Sequence, residues 1–430
     1  MSKIKSVRAR EILASGGKPT IEAYVELESG AKGKASVPYG SSAGVHEATV
    51  LTDDDENRYN GKGMLKAVSN VNDKISNELI GLNAEEQRVI DEKMIEMDAT
   101  ENKANLGGNA ILSVSLAVAK ASANENNLPL YKYIRQVYNL NISDYYLPNP
   151  MMVVIEGGKH AHQSTDLQEY IISPFGFNSA RENIRMGEEI YIALKKHLKS
   201  LDLNTNVGNE GAFAPSGLNN NEKPLQLILE SIKKAGYTPG KDVGISMDAA
   251  ASEYFENGKY ILSIEGKELS SEELIEYYLP WFDKYPIVTV EDMLHEDDWE
   301  NWPKFTSKIN VPHITDDLTV TNTTRLQRAI DEKAGDAILI KLNQIGSLTE
   351  TVDCCMLARK NGWMTVPSHR GGGEVNDTSM IDLAVAVNSG FVKVGPTRGE
   401  RVCKYNRLME IEDELGEKAN VMGADYAKVK

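Results

Sequence analysis

The sequence predicts an α/β protein, a β/α barrel preceded by a smaller α+β domain, and three observations carry that prediction. The hydrophobic period changes from two over residues 3–38 to a helical period over 60–136. From Pro150 onward, short apolar runs recur with amphipathic stretches between most of them, a pattern that fits a barrel better than an open sheet. Several of these runs end in a charged residue, and in β/α barrels chemistry sits at the carboxyl ends of the strands.

The elements follow in order. Val7–Leu13, Thr20–Leu27 and Gly33–Val37 alternate and are rich in β-formers. Gly16–Pro19 and Ser29–Gly30 separate them, which predicts an antiparallel meander. Pro38–Glu47 is a loop of small residues, predicted to be mobile. Ile111–Ala121 is apolar almost all round, so that helix is expected to be buried. Val137–Pro148 is the expected crossing, which divides the chain into 1–136 and 137–430. Beyond it, strands are expected at Met152–Ile155, Glu169–Ile172, Val243–Met247, Ile287–Val290, Ala337–Ile340 and Met364–Val366. Helices are expected around Ile184–Leu198 and Leu225–Ile232.

Composition narrows the function. A chain of 430 residues, 41% hydrophobic and 26% charged, has room for two domains and the make-up of a globular protein. The formal charge, 47 − 63 = −16, argues against nucleic acid and anionic membranes as partners. The 3 cysteines include an adjacent pair and no C-x-x-C, which suggests a reducing compartment. With no signal-like start and no membrane-length apolar run, a cytoplasmic location is expected.

The strand ends carry the chemistry. Met247 leads into Asp248, Val290 into Glu291 and Asp292, and Thr315 into Asp316 and Asp317. One such acid is ordinarily a helix cap or a surface group. Three in successive β/α units, with no Cys or His pair nearby, point to magnesium rather than zinc. Lys341 follows the buried run Ala337–Ile340, where an ammonium needs a partner or a task. Val366–Glu374 (VPSHRGGGE) sends His369 and Arg370 into a glycine-rich turn suited to a phosphate or carboxylate, and Lys393 lies near the end of the next strand.

Taken together the motifs resemble the enolase family from Ile4 to about Gly416. They include Arg10–Leu13 (REIL), Gly40–Ala48 (GSSAGVHEA), Gly157–Ala161 (GGKHA), Leu167–Glu169 (LQE) and Asn209–Gly211 (NEG). They continue with Asp248–Glu253 (DAAASE), Val290–Asp292 (VED), Asp316–Leu318 (DDL), Leu339–Gly346 (LIKLNQIG), Ser368–Arg370 (SHR) and Val392–Lys393. The resemblance implies an α/β fold of the enolase type, a (β/α)8 barrel with an α+β N-terminal capping domain. It also implies a dehydratase that converts 2-phosphoglycerate to phosphoenolpyruvate and water, and a homodimer or higher homo-oligomer. Asp248, Glu291 and Asp316 would bind one Mg2+. Ser42 would help bind substrate and a second Mg2+ as its loop closes. Lys341 would be the base and Glu210 the acid, with Glu169 supporting Glu210. His160 and Gln168 would line the pocket, with His369 and Gly371 at the substrate. Lys393 would hold the carboxylate and Arg370 the phosphate. Bound cations are expected to lower the pKa of Lys341, and Glu169 or burial to raise that of Glu210.

Some positions depart from the family. Gly16 stands for an arginine, Tyr39 for a serine, Ala43 for a threonine, Glu156 for an asparagine, Asn209 for an aspartate and Ala212 for a glycine. The family's SHRS reads Ser368–Gly371 (SHRG), and its RSER reads Arg398–Arg401 (RGER). Losing the hydroxyl at 371 is expected to weaken phosphate binding by roughly 1–3 kcal/mol and to open space. A second reading follows: a paralogue acting on a bulkier phosphorylated 3-hydroxy acid, similar to carboxyphosphonoenolpyruvate synthases. Two readings come from other classes. One is a non-catalytic scaffold or surface-binding protein, against which the retention of Lys341 and Glu210 counts. The other is a hydrolase, because Gly40–Gly44 matches G-x-S-x-G, a motif that needs a helix directly after it. The carboxylate that pairs with an arginine across the family's dimer is Glu22 here, and its partner position is Glu410, so the contact must be remade.

Overall fold

The structure, a computed structural model, describes residues 2–40 and 46–426, so Ser42 lies outside the described residues. The N-terminal strands Ile4–Leu13, Pro19–Leu27 and Lys32–Ser36 form the expected antiparallel meander. The first reversal needs glycine, since Gly16 and Gly17 both have φ of 72°. One face of the sheet, with Ile21, Ala23 and Val25, buries against the helix Gly108–Glu125. Gly33 lets the two approach, because a Cβ there would run into the Ala117 carbonyl. That helix is buried from Gly108 through Ala119, as its all-round apolarity predicts.

The barrel sheet has eight strands. In spatial order they are Met364–Pro367, Ala337–Ile340, His313–Thr315, Ile287–Glu291, Val243–Asp248, Glu169–Pro174, Asn149–Glu156 and Phe391–Val394. The ring closes through a bridge between Ser368 and Lys393, with His369 N–H donating to the Lys393 carbonyl at 3.1 Å. Met151, Val153, Ile171, Ile314, Leu339, Val366 and Phe391 fill the inside, while the alternate side chains pack under the surrounding helices. All the strands expected from the sequence are present. His313–Thr315 was visible only as the two residues before Asp316, because three residues are too few to show a period.

One feature differs from a uniform β/α repeat. The strand Glu169–Pro174 runs antiparallel to both neighbours. It follows Asn149–Glu156 through loop 157–168, which holds one 3-10 turn, Gly158–His160, and no crossover helix. A parallel return needs about a dozen residues of crossover, and a hairpin does not. The reversal puts the first residue of this strand at the barrel end where its neighbours finish: Glu169 sits between Glu156 and Asp248 in register.

The helices Ala180–Ser200 and Lys223–Lys234 cover the expected segments. After Lys341 comes a single turn, Leu342–Ile345, then Gly346 at φ 92°. Ser347 next caps Leu348–Lys360 by accepting the Glu350 N–H. No helix among the described residues is long and apolar enough to cross a membrane. Residues 46–58 hold no helix, which removes the strand–turn–helix context that a nucleophile elbow at Ser42 requires.

Candidate active site

Asp248 and Glu291 are the last residues of adjacent parallel strands and are register partners, and Asp316 directly follows the third strand. All three side chains are buried. The Lys393 ammonium lies among them. It donates to Asp248 Oδ2 at 3.0 Å and to both Glu291 oxygens at 2.8 Å, and pairs with Glu169 Oε2 at 2.8 Å. Lys341 pairs with Asp316 Oδ2, and Gln344 donates to Asp316 Oδ1 at 2.8 Å. Asp292 and Asp317, next in sequence to Glu291 and Asp316, complete the group. The Asp292 carboxylate accepts the N–H groups of Asp316 and Asp317 at 2.8 Å each, fixing the loop that presents them. The oxygens of Asp292, Asp316 and Asp317 lie within 4.8 Å of one another.

The charges in this group do not balance. Burial, then Asp248, pushes the Glu291 carboxyl well above the usual range. Burial, then Asp316, does the same to Asp292 and Asp317. Burial also raises Asp316, but Lys341 outweighs it and the net is downward. Oxygen donors with an excess of buried negative charge fit a hard divalent cation, and the Lys393 ammonium already sits among them as a monovalent stand-in.

Lys341 is governed by burial and by Asp316. Burial lowers its pKa, yet the Asp316 carboxylate overrides burial and the net is raised. Arg370 and Lys393 add to the lowering influences. With the Asp316 charge engaged elsewhere, most of what remains favours the neutral amine.

A second buried cluster surrounds Glu210. His160 Nδ1 lies 3.3 Å from Glu169 Oε1 and 3.6 Å from Glu210 Oε1, and His369 Nε2 lies 3.1 Å from Glu210 Oε2. Burial works against a charged His160, but Glu169 and Glu210 bring it up to about 9. The Glu210 carboxyl was expected to be raised. Burial does push it up, but His369, His160 and Arg401 together hold it well below the usual range. Weighing Glu169 and burial alone left out His160 in the turn Gly158–His160, His369 just past the strand Met364–Pro367, and Arg401 on the helix Gly399–Leu415. Gln168 Oε1 and both ring nitrogens of His160 are buried without an aligned hydrogen bond among the described residues, as in a pocket shaped for a ligand.

At the opposite end, Arg370 Nη1 donates to both Glu47 oxygens at 3.0 Å. The Arg370 N–H donates to Glu374 at 2.7 Å, and the wholly buried Lys404 donates to the same carboxylate at 3.0 Å. Arg401, also wholly buried, donates to the Gly371 carbonyl at 2.7 Å and approaches His369 Nδ1 at 3.2 Å. The sequence assigns no task to Glu374, Arg401 or Lys404, because nothing along the chain places the helix Gly399–Leu415 against the loop that carries Arg370 and Glu374. The expectation that Gly371 opens space is corrected. A Cβ there would stand 2.6 Å from His160 Nε2 and 3.0 Å from Glu210 Oε1, so the imidazole already fills the gap.

Lys341, Lys393, Glu210, His160, Gln168, His369, Arg370 and Gly371 line one tight cavity of about 30 Å3 at the barrel mouth. A larger groove of about 720 Å3 on the N-terminal sheet is lined mainly by basic and apolar groups with the single carboxylate Glu26, and gathers no comparable acid and base constellation. Two family models match the chain. One, described as "Enolase, N-terminal domain", covers residues 4–134, and the other, "Enolase, C-terminal TIM barrel domain", covers residues 144–430.

Proposed function

The chain belongs to the enolase family of magnesium-dependent dehydratases, and from that premise we propose that it converts 2-phosphoglycerate to phosphoenolpyruvate and water. The observation that supports this reading is a single cavity lined at once by the Lys341 amine, the buried carboxylates and the Glu210 acid cluster. Lys341 takes the proton from the carbon beside the substrate carboxylate. The electron pair left behind forms the carbon–carbon double bond. The hydroxyl on the next carbon departs as water with a proton from Glu210. Its neighbours His369, His160 and Arg401 hold the resting Glu210 carboxyl well below the usual range, so Glu210 must take up a proton before it can serve as the acid. Lys393 faces the negative charge that builds on the substrate carboxylate, and Arg370 exchanges Glu47 for the phosphate. Asp248, Glu291 and Asp316 would hold Mg2+, with a second ion joining alongside Ser42 and substrate. Bound there, the metal supplies positive charge opposite the developing enolate.

The bulkier-substrate reading relied on space at Gly371, and that space holds the His160 ring. Enol product absorbance, followed with 2-phosphoglycerate and Mg2+, tests the proposal. Turnover with kcat/KM of about 10^4 M−1 s−1 or more is expected. A value several orders lower would refute this substrate.

A further inference from the structure

Beside the acid cluster lies a carboxyl to which the reaction as described gives no task. Glu156 ends the first barrel strand, is fully buried, and replaces the asparagine of the family pattern. Its oxygens accept the Glu210 backbone N–H at 3.2 and 3.3 Å. Its own N–H donates to the Phe213 carbonyl at 2.9 Å, so the strand grips the loop 208–213 on both sides of Glu210. Gly208 packs directly on the carboxyl, where a Cβ would collide with it. The titratable groups facing Glu156 are Glu169 on the paired strand, Glu210 on the loop, His160 in the turn after its own strand, and Tyr191 on the helix behind.

We propose that Glu156 is a positioning residue for Glu210, pinning its backbone and sharing with His160 the charge of the acid cluster, so that three carboxyls rather than two set the cluster's protonation. Asparagine in this place could accept the same N–H but could not ionise. Burial, then Glu210, pushes Glu156 up to about 8, so the carboxyl holds its proton at neutral pH, while Glu169 and Glu210 raise His160 against burial. Each then holds the other's charge. Ionised Glu156 keeps the imidazole protonated, and the imidazolium eases the ionisation of Glu156.

The inference rests on Glu210 being the acid, and its test separates the two claims. With histidine-labelled full-length protein in Mg2+ buffer, His160 is titrated by NMR in wild type, E156Q and E156N, and assigned through H160Q. In both neutral variants the His160 midpoint is expected about one pH unit lower than in wild type. The kcat profile is expected to lose its inflection near pH 8, with KM little changed, and E156D is expected to restore both. A folded E156Q or E156N with an unmoved His160 midpoint overturns the inference. So does failure of both neutral variants to fold while E156D folds, because the carboxyl would then be structural. The NMR titration needs no turnover: absent dehydration by wild type refutes the proposed function, whereas an unmoved His160 refutes this inference alone.

Discussion

Restoring the hydroxyl at position 371 distinguishes the structure from the family pattern. By the pattern, Gly371→Ser returns a phosphate contact, so KM should fall and kcat hold. The structure predicts the reverse. The new Cβ would sit 2.6 Å from His160 Nε2, 2.8 Å from Cε1 and 3.0 Å from Glu210 Oε1. The backbone there is not left-handed, so the cost arises from side-chain collision alone. Glu210 is held on its other side by Glu156 and His369, so the His160 ring is the group that gives way. Overpacking of this kind costs about 1–3 kcal/mol. If it falls on the acid's alignment, kcat drops by roughly 5- to 150-fold. Enol absorbance gives kcat and KM, and urea melts report stability. H160A in the G371S background is expected to recover stability without recovering kcat. A G371S protein with unchanged or higher kcat and an unchanged urea midpoint would refute the reasoning.

Three other outcomes follow from the charges. Glu291, Asp292 and Asp317 have raised carboxyl pKa values in the folded, metal-free protein, so it binds more protons than the unfolded chain and loses stability as pH rises from the ordinary carboxylate range. Mg2+ at a hundredfold excess over Kd stabilises the fold by about 2.7 kcal/mol, and at a fixed Mg2+ concentration it should therefore raise the thermal midpoint more at pH 8 than at pH 5; a pH-independent Mg2+ effect would contradict this. Asp91, which accepts the Thr349 N–H and hydroxyl at 3.0 and 2.6 Å, ties the N-terminal helix Gln87–Asp98 to the barrel. Burial raises it to about 6, so its contribution to stability is lost between about pH 4 and pH 6, and D91N should flatten the denaturation profile in that window. Glu22 is neutralised within its own chain by Arg10 at 2.8 Å, and Glu410 by Arg407 at 2.8 Å. The two acids can then face one another without repulsion, so light scattering at micromolar concentration should give a homodimer, and a monomer would count against it.

Much of this architecture was legible in the sequence, for reasons that also mark the limits. Ala337–Ile340 and Val243–Met247 announce themselves because strands buried on both faces read as apolar runs. Asp248, Glu291, Asp316 and Lys341 stand out because a charge at the end of such a run is improbable without a task. The antiparallel turn at loop 157–168 was not visible, since Glu169–Pro174 has the same composition whichever way it runs. Nor could the protonation states be read. Glu210 is governed by His369, His160 and Arg401, and Lys341 by Asp316, and no spacing along the chain reports those distances. The glycine at 371 shows the same limit: sequence sees a missing hydroxyl, and only the fold shows the ring that takes its place.

The division of labour between Lys341 and Glu210 is tested most directly by hydrogen exchange at the carbon beside the substrate carboxylate, followed by NMR in D2O with Mg2+. E210Q should still exchange that hydrogen while forming product at least about a hundredfold more slowly, and K341A should do neither. Exchange that persists in K341A, or that vanishes in E210Q with Lys341 intact, would contradict the account.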